Sequence, residues 1–189
     1  MRIALFASGN GSNVQAILEA ISAGELTVEV AAFFCDNPKA YVLERLKAFK
    51  KIPTLVLSPK MCPDRQDYEN KILNFLEQEQ VEMIVLAGYM RVIGPTLLAA
   101  YPQKIMNIHP SLLPLHPGRH GIEDAFKAGD KETGITIHWV DEGIDSGPII
   151  HQERFSIDPS WSLDQLESQI HQLEHRIYPQ VIQRMSQQS

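Results

Sequence analysis

Residues 2–24 read "RIALFASGNGSNVQAILEAISAG". The run RIALFAS (2–8) is apolar without the alternation expected of a strand that has one face in water. It passes through GNGSN into NVQAILEAISAG (13–24), whose apolar residues recur at helical spacing and which Gly24 closes. A strand covered on both faces, a glycine turn and a helix make up the first unit of a parallel α/β sheet. The cover on each face has to come from helices, and helices between strands impose parallel crossovers.

The same unit repeats outward from this stretch. VEVAAFFCDN (28–37), TLVLS (54–58), VEMIVLAGYM (81–90) and KIMNIH (104–109) read as further strands. Helices are expected over 40–51, over 64–80, where Tyr68, Ile72, Phe75 and Leu76 share a face, and over 94–102. A short helix follows over 121–129. ETGITIHWVD (132–141) and PIIHQERFSI (148–157) are joined by only a few turn-forming residues, so they favour an antiparallel addition to the sheet. From Ser162, with Gln165 at capping-box spacing, Leu163, Leu166, Ile170, Leu173 and Ile177 mark a long C-terminal helix. Pro179 is expected to kink or break it. The fold class is α/β: a doubly wound, mostly parallel sheet with a Rossmann-like N-terminal half, an antiparallel addition and a long C-terminal helix. No repeat or linker divides it, so residues 1–189 read as a single domain, with 1–100 the phosphate-binding half and 101–189 the catalytic half. Ligands of such sheets bind beyond the carboxyl ends of the strands, where strand order switches.

Composition excludes some functions. With 44% hydrophobic and 21% charged residues, the chain matches a soluble domain. A net charge of −6 argues against a broad nucleic-acid surface, but leaves room for a local anion pocket. Cys35 and Cys62 lie in no metal or disulfide spacing, and Cys35 is expected as a small core residue. The first apolar run is too short for a signal peptide and no run reaches transmembrane length, so no membrane partner and a cytoplasmic location are expected.

Two stretches carry chemistry. In SGNGSN, Gly9 and Gly11 permit positive φ and close approach of a ligand, and the amides that start the next helix suit a phosphate. A dinucleotide fingerprint is the competing reading, with Asp36 placed as its ribose-binding acid. Val14, however, stands where the third glycine belongs. A plain tight turn, with Asn13 as a helix cap, is the third. In KIMNIH, Asn107 and His109 are two apart, so they share one side of a strand at its carboxyl end. An amide donor can stabilise an oxyanion and an imidazole can move protons. Such a pair needs a carboxylate, for which Asp145 is the candidate, while Asp141 and Glu142 compete on spacing. His138 reads as structural or supporting. A metal site from His109, His116 and His120 is disfavoured because Pro-Gly interrupts the run, and no metal is expected.

NIHPSLLP followed by a Pro-Gly loop, GITIHWVDEGIDSGPII and EHRIYP resemble, in order and over nearly the whole chain, the folate-dependent formyltransferases. SGNGSN narrows the resemblance to the branch acting on glycinamide ribonucleotide. The resemblance implies transfer of a formyl group from 10-formyltetrahydrofolate, as co-substrate, to the amine of that ribonucleotide in purine synthesis. It implies Asn107, His109 and Asp145 as the catalytic trio. Gly11, Ser12 and Asn13 would hold the phosphate, with Gly88, Pro110, His171, Gln172, Leu173 and Glu174 also on the ribonucleotide side. Arg65, Met90, Arg91, Val92, Ile93 and Asn107, with Asp141, Glu142, Gly143, Ile144 and Asp145, would hold the folate. The partners are then small molecules, and the chain a monomer or weak homodimer. Hydrolysis of the formyl-folate is the alternative on the same scaffold. His116 stands where relatives often carry Tyr or Phe, which leaves that loop's contacts open.

Overall fold

Alternation along the first strand, β1 (Arg2–Ala7), builds the two layers. Ile3, Leu5 and Ala7 are fully buried on one face of the sheet, in a cluster with Val14, Ile17 and Leu18 of α1 (Ser12–Ser22) and Leu166, Ile170 and Tyr178 of α6 (Leu163–Gln187). Ala4 and Phe6 point to the other face, toward Tyr68, Ile72 and Leu76 of α3 (Arg65–Gln78) and Leu97 of α4 (Pro95–Ala100). Each fully buried aliphatic or phenyl side chain contributes about 1.5–3 kcal/mol. An unbroken apolar run is therefore what a strand with helices on both faces requires.

In the computed structural model, which describes residues 1–188, seven strands form one sheet in the order β3-β2-β1-β4-β5-β6-β7. These are β2 (Glu29–Cys35), β3 (Thr54–Val56), β4 (Met83–Leu86), β5 (Ile105–His109), β6 (Glu132–Trp139) and β7 (Ile149–Ser156). β1 to β5 pair in parallel. β6 runs antiparallel to β5, and β7 antiparallel to β6, as the short link between them implies. From β1 the chain winds outward through β2 and β3, then returns to add β4 and β5 on the other side. The switch in strand order thus falls between β1 and β4.

Three expectations are corrected. The helix expected over 40–51 is only α2 (Val42–Arg45) and a 3-10 turn, Leu46–Ala48. Val42 packs against the glycine turn and its amide donates to the Gly9 carbonyl, so tertiary contacts fix this segment where propensity would have continued the helix. The strand expected over 81–90 ends at Leu86, because Gly88 takes φ 83° and turns the chain away from the sheet. Pro179 does not break α6, which is continuous from its capping box at Ser162 and Gln165 to Gln187. Pro179 is buried among Tyr178, Val181 and Ile182, and that packing offsets the lost backbone bond. Cys35 is buried, as expected. Among the described residues no helix is long and apolar enough to cross a membrane.

The long helix also fixes the functional edge. Fully buried Tyr178 donates its hydroxyl to the Leu86 carbonyl at 2.8 Å and lies 3.4 Å from that of Met106, tying α6 to the end of β4 and to the adjacent β5. The remaining helix, α5 (Gly121–Ala128), follows the loop after β5.

Candidate active site

Asn107 and His109 leave β5 on the same side. Asn107 is registered opposite His138 on β6, which makes the two a cross-strand pair. His138 Nδ1 donates to the Trp139 carbonyl at 2.9 Å, which in the neutral ring makes Nε2 an acceptor. That Nε2 lies 3.4 Å from the Asn107 amide nitrogen, which orients one amide hydrogen and leaves the other for the cleft. His109 is 4% exposed. Its Nε2 donates to the His116 carbonyl at 2.8 Å, and its Nδ1 stands 3.6 Å from Asp145 Oδ2. The imidazole is thus held by the loop carbonyl on one side and faces the Asp145 carboxylate on the other.

Asp145 is distinguished from its neighbours by geometry. Its carboxylate reaches His109 with one oxygen and lies 3.8 Å from His138 Nε2 with the other. The Gly118 amide donates to it at 2.8 Å, so the Pro-Gly loop after β5 holds it in place. Asp141, by contrast, accepts from the Gly143 amide and the Ser146 hydroxyl and staples its own turn. Glu142 is exposed. His116 and His120 turn to acids of their own, Asp130 at 2.6 Å and Glu123 at 3.8 Å, and do not join His109 as ligands.

Around the trio lies a cleft of about 370 Å³ beyond the ends of β4 and β5. Met90, Arg91, Val92 and Ile93 form one wall; Asp141, Gly143, Ile144 and Asp145 form the other; Gly88 and Pro110 also line it. Met90, Val92 and Ile144 rank among the few large apolar side chains left more than half exposed, and all three sit at this one opening. Exposed apolar walls with a few convergent polar groups suit a flat, largely apolar ligand. Arg65 stands behind the wall, donating to the Val92 carbonyl at 2.9 Å. Arg91 pairs with Asp36 at 2.6 Å, which engages the acid weighed as a ribose ligand.

The glycine turn forms a second locus. Gly11 takes φ 79° at the start of α1, and a Cβ there would overlap the Val42 side chain. Of the two glycines expected at positive φ only Gly11 has it; Gly9 does not. The helix has neither a side-chain cap nor an acid in its first turn, so the leading amides of Ser12 and Asn13 are free for an anion. Asn13 donates to Glu174 at 3.3 Å. Glu174 is 7% exposed, and burial raises its carboxyl to about 7 against the pull of the Asn13 hydrogen bond. Of its neighbours, Leu173 is in the core and His171 and Gln172 are exposed on α6. The two loci are joined at Ser8, whose amide donates to the Gly88 carbonyl at 3.0 Å and whose hydroxyl accepts from the Met90 amide at 2.9 Å.

Sequence reasoning did not find Gly118 or Arg119, both in the cleft lining, and gave His138 no specific task. The alternation of Thr136 and His138 on β6, opposite His109 and Asn107, was the available signal for His138; Arg119 carries none.

The family model described as "Formyl transferase" matches residues 1–182. A phosphoribosylglycinamide formyltransferase of Bacillus subtilis is 48% identical over 184 residues, covering 97% of this chain and 94% of that protein. A crystal structure of phosphoribosylglycinamide formyltransferase from Bacillus halodurans superposes with a TM-score of 0.93 at 49% identity, over 98% of this chain and 95% of that one. Glycinamide ribonucleotide transformylase 1 from Geobacillus kaustophilus gives 0.93 at 49% identity, over 97% of each chain.

Proposed function

Because the chain belongs to the formyl transferase family, we propose that it moves the formyl group of 10-formyltetrahydrofolate to the amine of 5-phosphoribosylglycinamide, a step of purine synthesis. The observation that carries this reading is the placement of Asn107, His109 and Asp145 together in the lining of a cleft with apolar walls. The folate's flat ring fits between Met90–Ile93 and the 141–145 loop, and the ribonucleotide phosphate fits at Gly11–Asn13, with Glu174 toward its sugar.

The substrate amine attacks the formyl carbon and a tetrahedral oxyanion forms. Asn107 donates its free amide hydrogen to that oxygen, the other being held by His138. His109, held by the His116 carbonyl and facing Asp145, stands beside the same oxygen. Asp145 holds His109 and conducts a proton from the attacking amine to N10 of the folate. The bond from the formyl carbon to N10 then breaks, giving the N-formyl product and tetrahydrofolate. Among the described residues no cysteine or serine lines the cleft, which favours direct transfer between the two substrates.

The relatives that match over the whole chain carry the transferase name, which does not favour hydrolysis. The test is one assay of the purified chain with 10-formyltetrahydrofolate, with and without the ribonucleotide. Tetrahydrofolate released only when the ribonucleotide is present supports transfer. Equal release in its absence overturns it in favour of hydrolysis.

A further inference from the structure

The turn from Ser8 to Asn13 contains Gly-Asn-Gly, the kind of backbone that loses most freedom when ordered, at roughly 1–2 kcal/mol per residue. It must nevertheless present free amides in one fixed arrangement. What holds it is not in the turn. The Val42 amide donates to the Gly9 carbonyl at 3.0 Å. Three residues on, Arg45 spreads its guanidinium over the turn: Nε donates to the Asn10 carbonyl at 2.7 Å, Nη2 to the Asn10 side-chain oxygen at 2.9 Å, and Nη1 to Gln15 Oε1 in the first helix. The same guanidinium lies over the Tyr41 ring, 5.1 Å from its centroid. A planar fork serving three acceptors is a task that a lysine cannot perform. Neighbouring His175 does not duplicate the charge, since burial, then repulsion from His171 and Arg45, lowers its pKa against a smaller opposing effect of Glu19.

We propose that Arg45 is a positioning residue for the ribonucleotide phosphate, clamping Asn10 and Gln15 so that the turn at Gly11–Asn13 is organised before the ligand arrives. This rests on the reading that those residues hold the phosphate of glycinamide ribonucleotide. Preorganisation of this kind reduces the ordering cost of binding and leaves the chemical step alone. Arg45 does not line the cleft that holds Asn107, His109 and Asp145, so its loss acts on binding at the phosphate end.

The experiment compares R45M, which keeps an unbranched apolar stem, with R45K and the native chain in steady-state transfer. Three charge-assisted hydrogen bonds are lost, so KM for the ribonucleotide rises about tenfold or more. The kcat stays within about twofold and KM for the folate is unchanged, the pattern of a lost binding interaction that is uniform between ground and transition states. R45K does not restore KM. The kcat/KM for glycinamide riboside, the substrate without its phosphate, is unchanged by R45M, which a general structural defect would not spare. An unchanged KM for the ribonucleotide in R45M, full rescue by R45K, or an equal loss on the riboside each overturns the proposal. If R45M does not fold, R45Q, which retains donors for part of the clamp, gives the same contrast at smaller amplitude. Failure of the underlying reading looks different: the native chain then shows no ribonucleotide-dependent transfer at all.

Discussion

Replacing Glu174 with Gln should change how the protein's stability responds to pH. Glu174 is 7% exposed on α6, and burial raises its carboxyl from 4.5 to about 7. A carboxyl whose folded pKa is raised holds its proton in the folded state where the unfolded chain has already lost it. Its favourable contribution is therefore complete below about 4.5 and is lost as pH rises through about 7. Above that pH the buried carboxylate costs the fold roughly 3 kcal/mol, at about 1.4 kcal/mol per unit. Glutamine keeps the shape and cannot ionise. Urea denaturation of native and E174Q proteins at pH 5 and pH 8 isolates this one group, because every other titration is shared and cancels. Relative to the native chain, E174Q should gain roughly 2–3 kcal/mol between the two pH values. A difference that stays flat, or that falls with rising pH, would refute the claim that burial controls this carboxyl.

Two other substitutions probe how the fold holds the site. In G147A the new Cβ overlaps the Trp139 carbonyl oxygen at the base of the loop that carries Asp145. That should cost about 1–3 kcal/mol of stability in a denaturant titration and lower kcat by tenfold or more, with the far-ultraviolet spectrum unchanged. Y178F removes a buried hydroxyl that donates to the Leu86 carbonyl, and should cost about 1–3 kcal/mol for the acceptor left without a partner, measured the same way.

The parts of the fold legible in the sequence are those set by periodicity. The unbroken runs in β1, β2 and β4 required cover on two faces, and the alternation of Ile3, Leu5 and Ala7 against Ala4 and Phe6 supplied it. Asn107 and His109 were legible for the same reason, since strand alternation alone sets them side by side. Spacing could not rank Asp141, Glu142 and Asp145, because that choice is made by a turn. Asp141 is consumed in stapling it, and Asp145, at φ 53°, is aimed back at the imidazole. The 40–51 segment misled because its apolar spacing is helical, yet Val42 and Arg45 are committed to the glycine turn across the sheet edge. Pro179 misled because the cost of a proline in a helix is local, whereas the packing of α6 on the sheet is spread over its whole length. The role of Gly118 depends on a contact between segments far apart in the chain, and no local pattern encodes it.

In the proposed reaction Asn107, His109 and Asp145 act together on the formyl group. The most direct measurement is kcat for N107A, with both substrates saturating and the fold checked by its denaturation midpoint. Loss of the one amide hydrogen free for the oxyanion should lower kcat about 10²–10³-fold while the fold persists. A folded N107A enzyme with kcat within a few-fold of the native value would contradict the account.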